Sequence, residues 1–431
     1  MTGPSPVSSL SRRVVGLVRR PPAALVSLAD QGMVSGFGFV SGILAARLLG
    51  IVEFGHFAMI IIVHTFTQAL HDALITAPMM TLVGARSGVS KAYGASILAG
   101  AVLLCLPGAA FVIAALSIAG MRPETLTAAC ALMLAQSLQY TLRRLLFAAG
   151  RGVQALIMDF ARAASFPLVA VLVWLEHDVI GGNGYVWLLA ATSLATSLPF
   201  LLAIGRPILT RPRCLRLGTV FRRHIPLGRW LLPIVFVTFV QEQLVWLVAG
   251  SVLGLEAVGG LRAAQYLVGL VLLLLSATEN VLPVAASRVY AEGGETALRG
   301  YILRTGLKLG LPVVAILVVL AGPGALWLGL IFGPEYVAFA PTLRVLAVGV
   351  VVVMVRDLAS NYFRAKHNTR VIFESLFVSM IVSLAVVAPL MHYGGVSGAA
   401  AAVIAGHTAS LVYLLLAARR QSRSAPTLAA A

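Results

Sequence analysis

Apolar runs of about 20 residues, long enough to cross a bilayer as helices, recur along the whole of this 431-residue chain with only short turns between them. Hydrocarbon offers backbone N–H and C=O groups no water, so a crossing segment must pair them within itself or in a closed barrel. The runs lack the strict alternation of barrel strands. The expected class is therefore an all-α polytopic membrane protein. Charge content agrees. Only 11% of residues are charged and 59% are hydrophobic, whereas soluble domains carry about 25% charged residues.

The pattern predicts twelve spans, at 24–47, 55–83, 93–118, 125–147, 153–175, 185–204, 228–252, 260–287, 301–321, 339–363, 371–391 and 396–418. Lys and Arg sort between alternate turns. One set holds Arg12, Arg13, Arg19 and Arg20, then Arg86 and Lys91, Arg143, Arg144 and Arg151, the cluster from Arg206 to Arg229, Arg288, Arg299 and Arg304, Arg364, Lys366 and Arg370, and Arg419, Arg420 and Arg423. The other set holds only Arg47 and Arg122, with Glu53, Glu124, Glu176, Asp178, Glu256 and Glu335. The positive-inside rule then places both termini in the cytoplasm, and a different span count would scramble this division. The same rule accounts for the net charge of +17 without invoking nucleic acid. The three cysteines form no CxxC or Cys/His cluster, so free thiols and no metal are expected. The apolar run after the basic N-terminal segment is too long for a signal-peptide core and is read as a retained span.

The basic linker at 205–227 divides the chain. The expected organisation is a basic N-terminal segment at 1–23, a six-helix half at 24–204, the linker, a second six-helix half at 228–418 and a tail at 419–431. A weak repeat relates the halves. Leu49-Gly50 is followed after three residues by Phe54-Gly55, and Leu253-Gly254 by Val258-Gly259. "LFAAGRG" ends span four as "YFRAKHN" ends span ten, and "GGNG" precedes span six as "GGVSG" precedes span twelve. Two parallel six-helix repeats suit pseudo-symmetric bundles that rock around a central cavity. In the first outer turn, Gly50 and Gly55 permit a tight bend, and Arg47 is expected to snorkel to the interface near Glu53.

At this point "ARLLGIVEFGHFAM" resembles the first-hairpin motif of polysaccharide flippases of the multidrug/oligosaccharidyl-lipid/polysaccharide exporter superfamily. "VLGLEAVGGLRAAQYLVGL" with the later "VLPVAASRVYAEGG" is similar to their seventh and eighth spans. "IFGPEYVAFAPTLRVLAV" and "GGVSGAAAAVIAG" are similar to their turns into spans ten and twelve. The resemblance implies a bacterial inner-membrane flippase of O-antigen type, carrying an undecaprenyl-diphosphate-linked oligosaccharide to the periplasmic leaflet for surface polysaccharide synthesis. Gly260-Leu261-Arg262 stands where that family more often has an aromatic, and twelve spans depart from the fourteen of its peptidoglycan-precursor branch. Membrane lipids and a polysaccharide polymerase or other assembly protein are the implied partners.

Ionisable groups inside spans mark cavities or partners. His64, Gln68, His71 and Asp72 share one face of span two and are expected to line a cavity, the alternative being a packing seam. Glu242, within Gln241-Glu242-Gln243, looks the most buried acid of the second half. Asp72 and Glu242 are the candidates for ion coupling. Arg356 is expected to grip phosphate, through the fork of donors that makes Arg suited to it. Arg262 and Arg344 lie toward the outer ends and are read as receiving the diphosphate or as snorkelling. Asp159 and Arg162, three residues apart, are expected to form a local salt bridge. Glu279-Asn280 has no assigned role. No cofactor is expected, a GxxxxGK[ST] loop is absent, and the outer turns are too short for an enzyme's catalytic domain, so transport is expected rather than catalysis. A small-molecule exporter of the same superfamily is the nearest alternative and a polysaccharide polymerase a more distant one.

Overall fold

The computed structural model describes residues 23–84, 89–177, 181–210, 216–276 and 282–424. The basic N-terminal segment to residue 22, Arg86, linker residues 211–215 with Cys214, Glu279-Asn280 and the tail from 425 lie outside the described residues. Everything described is helix or short turn. In chain order the elements are α1 (Ala23–His71), a π-helical turn (Asp72–Thr76), α2 (Ala77–Gly84), α3 (Lys91–Ile118), α4 (Pro123–Ala148), α5 (Gly152–His177), α6 (Gly182–Thr210), α7 (Leu217–Leu253), α8 (Leu255–Ser276), α9 (Leu282–Ala321), α10 (Gly324–Ile331), a 3₁₀ turn (Pro334–Phe339), α11 (Ala340–Ala365) and α12 (Thr369–Ser424).

Nine stretches of the described residues are long and apolar enough to cross a membrane. Two of them are hairpins. α1 bends at Gly50 and α12 at Gly395, each with a positive φ that L side chains rarely adopt. α4 is less apolar than these, because Gln136, Ser137, Gln139, Tyr140, Arg143 and Arg144 fall in its second half. With the hairpins opened and α4 included, each of the twelve expected spans falls on helix over its described residues. The chain is a multi-pass membrane protein. The connector expected before span nine is itself helical, part of α9 up to a break at Gly294 (φ 66°). The apolar outer segment at 322–338 is also structured, as α10 and the 3₁₀ turn.

The chain divides into two compact units. One contains the described part of Met1–Ser41, with Thr67–Ala114 and Arg122–Leu231. Its core joins Ile75 and Met79 to Ile97, Leu98, Leu145 and Val220. A second patch joins Leu142 and Leu146 to Ala155 and Met158. The Tyr185 hydroxyl donates to the Ser41 carbonyl at 2.5 Å, securing α6 to α1.

The other unit contains Gly42–Phe66, Ala115–Met121 and the chain from Leu232. It therefore holds the bend of the first hairpin together with the later helices. Ile62 packs with Val245, Trp246, Leu261, Met391 and Ala399. At the bend, Gly55 lies against the Leu255 carbonyl and Gly259 against the Ile51 carbonyl, so close that a methyl group at either glycine would collide with backbone. One offset of 204 residues relates 51 to 255 and 55 to 259. The two contacts are thus one contact made twice, residue i on j and j on i, as across a two-fold axis. The same offset relates Gly50 (φ 72°) to Gly254 (φ 86°), the hinge of each tip.

Arg47 does not pair with Glu53. Its Nε donates to the Ile331 carbonyl at 2.7 Å and its Nη2 to the Leu330 carbonyl, while Glu53 meets His56 at 3.2 Å. Two carbonyls left over at the end of α10 are satisfied in this way. Tyr336, fully buried, donates to the Ala46 carbonyl at 3.2 Å.

At the opposite, basic end of this unit, Glu295 accepts from the Tyr362 hydroxyl at 2.7 Å, from Lys366 at 3.1 Å and from Arg299 at 2.5 Å. The Tyr362 hydrogen bond and then the Lys366 ammonium hold the Glu295 carboxyl below its ordinary value of 4.5. A depressed carboxyl stabilises the fold above its unfolded pKa and ceases to as the pH falls through its folded value. Glu295→Gln is expected to lower stability by less than about 1 kcal/mol at pH 7, since the group is partly exposed. In thermal melts of the purified protein, the gap between variant and wild type should close below about pH 4.

Candidate functional site

α4 carries two polar clusters on adjoining faces, both in the first unit. On one face, Arg143 Nε donates to Asp30 Oδ2 at 2.7 Å and Nη2 reaches the same oxygen, while Nε lies 2.9 Å from Asp159 Oδ2. Gln139, one turn earlier, donates to Asp159 Oδ1 at 3.0 Å and accepts from Arg162 Nη1 at 2.7 Å. The Arg162 guanidinium lies 4.2 Å from the centroid of the Phe37 ring, a favourable place for a cation. Asp30, Gln139 and Asp159 are all buried. Two carboxylates thus meet two guanidiniums inside α1, α4 and α5, and the set is neutral.

This corrects two expectations. Arg143 is not a turn cation but a buried ion-pair partner. Asp159 lies at ion-pair distance from Arg143, while its attraction to Arg162 acts across Gln139, which bonds to both. Asp30 was not singled out in the sequence. Its partner is 113 residues away, and the signal that points to the cluster is the polar i, i+4 pair Gln139–Arg143 in an otherwise apolar helix.

On the adjoining face the Tyr140 hydroxyl donates to Asp72 Oδ1 at 3.0 Å and accepts from Arg144 Nε at 3.1 Å and Nη2 at 2.7 Å. The Thr76 hydroxyl donates to the same carboxylate oxygen. Asp72 opens the π-helical turn, and Thr76 closes it. Such turns insert an extra residue and concentrate at functional sites. Of the expected polar face, His64 and His71 are buried, Gln68 and Asp72 half-buried. Asp72 is therefore held by hydroxyls, while Arg144 meets only a neutral oxygen at ion-pair range among the described residues.

The second unit has its own cluster. His407 Nδ1 lies 3.1 Å from Gln241 Nε2 and 2.8 Å from Arg356 Nη1. Arg356 also donates to Asp357 Oδ1, from Nε at 3.0 Å and Nη2 at 2.6 Å. Glu242 feels the Arg356 guanidinium and the Asp357 carboxylate. Glu242 keeps surface open to solvent yet is enclosed by surrounding protein, with Arg356 and Asp357 beside it, and its neighbour Gln241 is fully buried. Adjacent helical residues point about 100° apart, and an apolar sequence all around α7 does not fix which of them faces in. Arg356 is half-buried and paired with an acid beside it rather than free. His407 was missed, since a lone His in a small-residue run carries no motif.

Of the remaining expected cations, Arg262 donates to Gln265 Oε1 at 2.6 Å and lies 5.6 Å from the Tyr266 ring centroid. Arg344 is exposed, with a long contact of 3.4 Å to the Ala321 carbonyl. Neither has an acid within ion-pair distance among the described residues. The structure thus places Asp72 with Tyr140 and Arg144, and Arg356 with Glu242, Gln241 and His407, and leaves Arg262 and Arg344 outside both groups.

No protein-family model and no curated protein matches this chain. Solved structures do. One similar structure is the inward-facing conformation of a multidrug resistance MATE family transporter of the MOP superfamily, at a TM-score of 0.64 and 16% identity, covering 94% of this chain and all of that one. Another is the lipid II flippase MurJ in an inward closed conformation, at a TM-score of 0.62 and 16% identity over 92% of this chain and 87% of that one. The fold is that of these transporters. A third likeness, to a mutant of the Vibrio cholerae MATE transporter VcmN, has a TM-score of 0.57 and 14% identity over 97% of this chain and 98% of that one.

Proposed function

We propose that this chain is a transporter of the superfamily to which MATE proteins and MurJ belong, and that its cargo is an undecaprenyl-diphosphate-linked oligosaccharide flipped from the cytoplasmic to the periplasmic leaflet of a bacterial inner membrane. Both termini would be cytoplasmic, and two six-helix halves would alternate access to a cavity between them. The task is to carry sugars and two phosphates across roughly 30 Å of hydrocarbon. Cations inside the spans offset the loss of water around the phosphates.

One observation carries the anionic cargo. Arg144 and Arg262 are anchored by neutral oxygens, Tyr140 Oη and Gln265 Oε1, rather than by carboxylates. Their side chains are positioned but their charge is not neutralised by an ion pair. A diphosphate is a fitting counter-charge, because Arg presents a fork of donors to phosphate. A small-molecule exporter is the second reading. It is favoured by the exposed Glu242 and the half-exposed Asp357, which together outnumber the one cation, Arg356, beside them. A polysaccharide polymerase has no such observation in its support. Ion coupling through Asp72 or Glu242, and association with a polymerase, belong to the same proposal.

The test is deletion of the gene followed by extraction of lipid-linked saccharides and leaflet-resolved labelling in spheroplasts. A complete diphosphate-linked glycan trapped on the cytoplasmic face is the expected result. Complementation with Arg144→Gln or Arg262→Gln should restore flipping at a rate lower by about tenfold, the loss expected for one charge-assisted contact. An unchanged lipid pool with new sensitivity to cationic compounds, relieved on complementation by wild type but not by Glu242→Gln, would replace the flippase with the exporter.

A further inference from the structure

A groove of about 570 Å³ runs along the outside of the second unit between α9, α11 and the last part of α12. Its walls are aliphatic and aromatic, among them Leu307, Met354, Tyr362 and Leu414, and Arg299 stands at its basic end. Two glycines give it depth. A methyl group on Gly306 would come within 3.0 Å of Leu358 Cδ1, and one on Gly310 within 3.3 Å of Met354 Cε. Leu303, Leu307 and Leu311, successive turns of α9, form one lip and are 67%, 59% and 73% exposed. Side chains of that kind in a membrane span face hydrocarbon. From Arg299 to Val314 the groove follows fifteen residues of helix, or about 22 Å.

We propose that this groove is a binding site for an anionic glycerophospholipid, with one acyl chain along the groove and the phosphate on Arg299. Two arguments select that occupant. The first is charge. From 288 to 308 the chain holds four cations, Arg288, Arg299, Arg304 and Lys308, against Glu292 and Glu295. Arg299 is 48% exposed; its Nη2 donates to Glu295 and the guanidinium also lies by the Tyr362 hydroxyl, which leaves part of its five-donor fork for a phosphate. The second is length. Its course of about 22 Å from Arg299 reaches somewhat past the ~15 Å depth of one leaflet of a roughly 30 Å hydrocarbon core, the reach of one acyl chain. An undecaprenyl tail, eleven isoprene units, overruns it. The site therefore stands apart from the proposed cargo, and its test is independent of the flippase reading.

The probe is a phosphatidylglycerol with a diazirine near the end of one acyl chain, added to the full-length protein in detergent micelles, photolysed and mapped by peptide mass spectrometry. Label is expected on the α9 segment 302–314 and the α11 segment 354–363. Unlabelled phosphatidylglycerol should compete better than phosphatidylcholine of the same chains by about fivefold, the preference one surface cation confers. Arg299→Gln should remove most of that preference and leave the labelled positions unchanged. Leu307→Trp, which fills the groove from an exposed position, should remove the label. Leu311→Trp serves in its place if the first variant does not run as a single species on gel filtration. Equal competition by the two phospholipids would overturn the proposal in favour of ordinary boundary lipid. So would stronger competition by a polyprenyl diphosphate, which would give the groove to a cargo tail.

Discussion

Arg143→Ala is expected to cost more stability than any other single truncation of an interior side chain in the first unit, about 3–5 kcal/mol. The truncation strands the carboxylates of Asp30 and Asp159, which are 0% and 2% exposed, with only Arg162 nearby among the described residues to balance them. A buried charge without its partner loses the Coulomb attraction but keeps the desolvation penalty, and the second term is the large one. In thermal unfolding followed by scanning fluorimetry, the midpoint should fall by at least about 6 °C. Arg143→Lys should recover only part of this. Arg143 reaches Asp30 and Asp159 through a planar fork, and an ammonium is a point charge on a flexible stem. A melting point for Arg143→Ala within error of wild type would mean that the cluster does not hold α1, α4 and α5 together.

Gly55→Val is the second large effect, and its signature lies in non-additivity. The side chain would enter the space now taken by the Leu255 backbone carbonyl, which cannot turn aside as a side chain can. Overpacking of this kind costs about 1–3 kcal/mol, and more where only backbone can yield. Gly259→Val should cost a similar amount, since it meets the Ile51 carbonyl in the same way. Each substitution prises apart the same crossing. Once one has separated the tips, the second has less left to disrupt, so the double variant should lose clearly less than the sum. Full additivity in thermal melts of the single and double variants would show that the two contacts are independent and that the two-fold relation has no energetic meaning.

The tips were legible in the sequence because glycine at a hinge and glycine at a close approach leave a composition trace that repeats. Leu49-Gly50 with Phe54-Gly55 and Leu253-Gly254 with Val258-Gly259 stand at one offset, and the structure brings them to one crossing. The spans were legible for a similar reason, since length and apolar content are set by the bilayer rather than by packing. What packing decides was not legible. Arg143 and Arg144 read as a turn pair near the end of span four. The helix sends Arg143 to Asp30 and Arg144 to Tyr140, and only the i, i+4 partners Gln139 and Tyr140 hint at it. That Gln241 rather than Glu242 meets His407 was not legible, because both faces of α7 are apolar. Asp30 and His407 find their partners across 113 and 166 residues, beyond any local spacing.

His407 Nδ1 faces two groups that only donate, the Gln241 amide nitrogen and the Arg356 guanidinium. The nitrogen must therefore be the basic one of the ring, and the imidazole proton sits on Nε2. A second proton has one place to go, and two donors already occupy it. Taking up that proton at His407 and letting go of Arg356 are consequently the same event, and an Arg356 so released would be left with the carboxylates of Asp357 and Glu242.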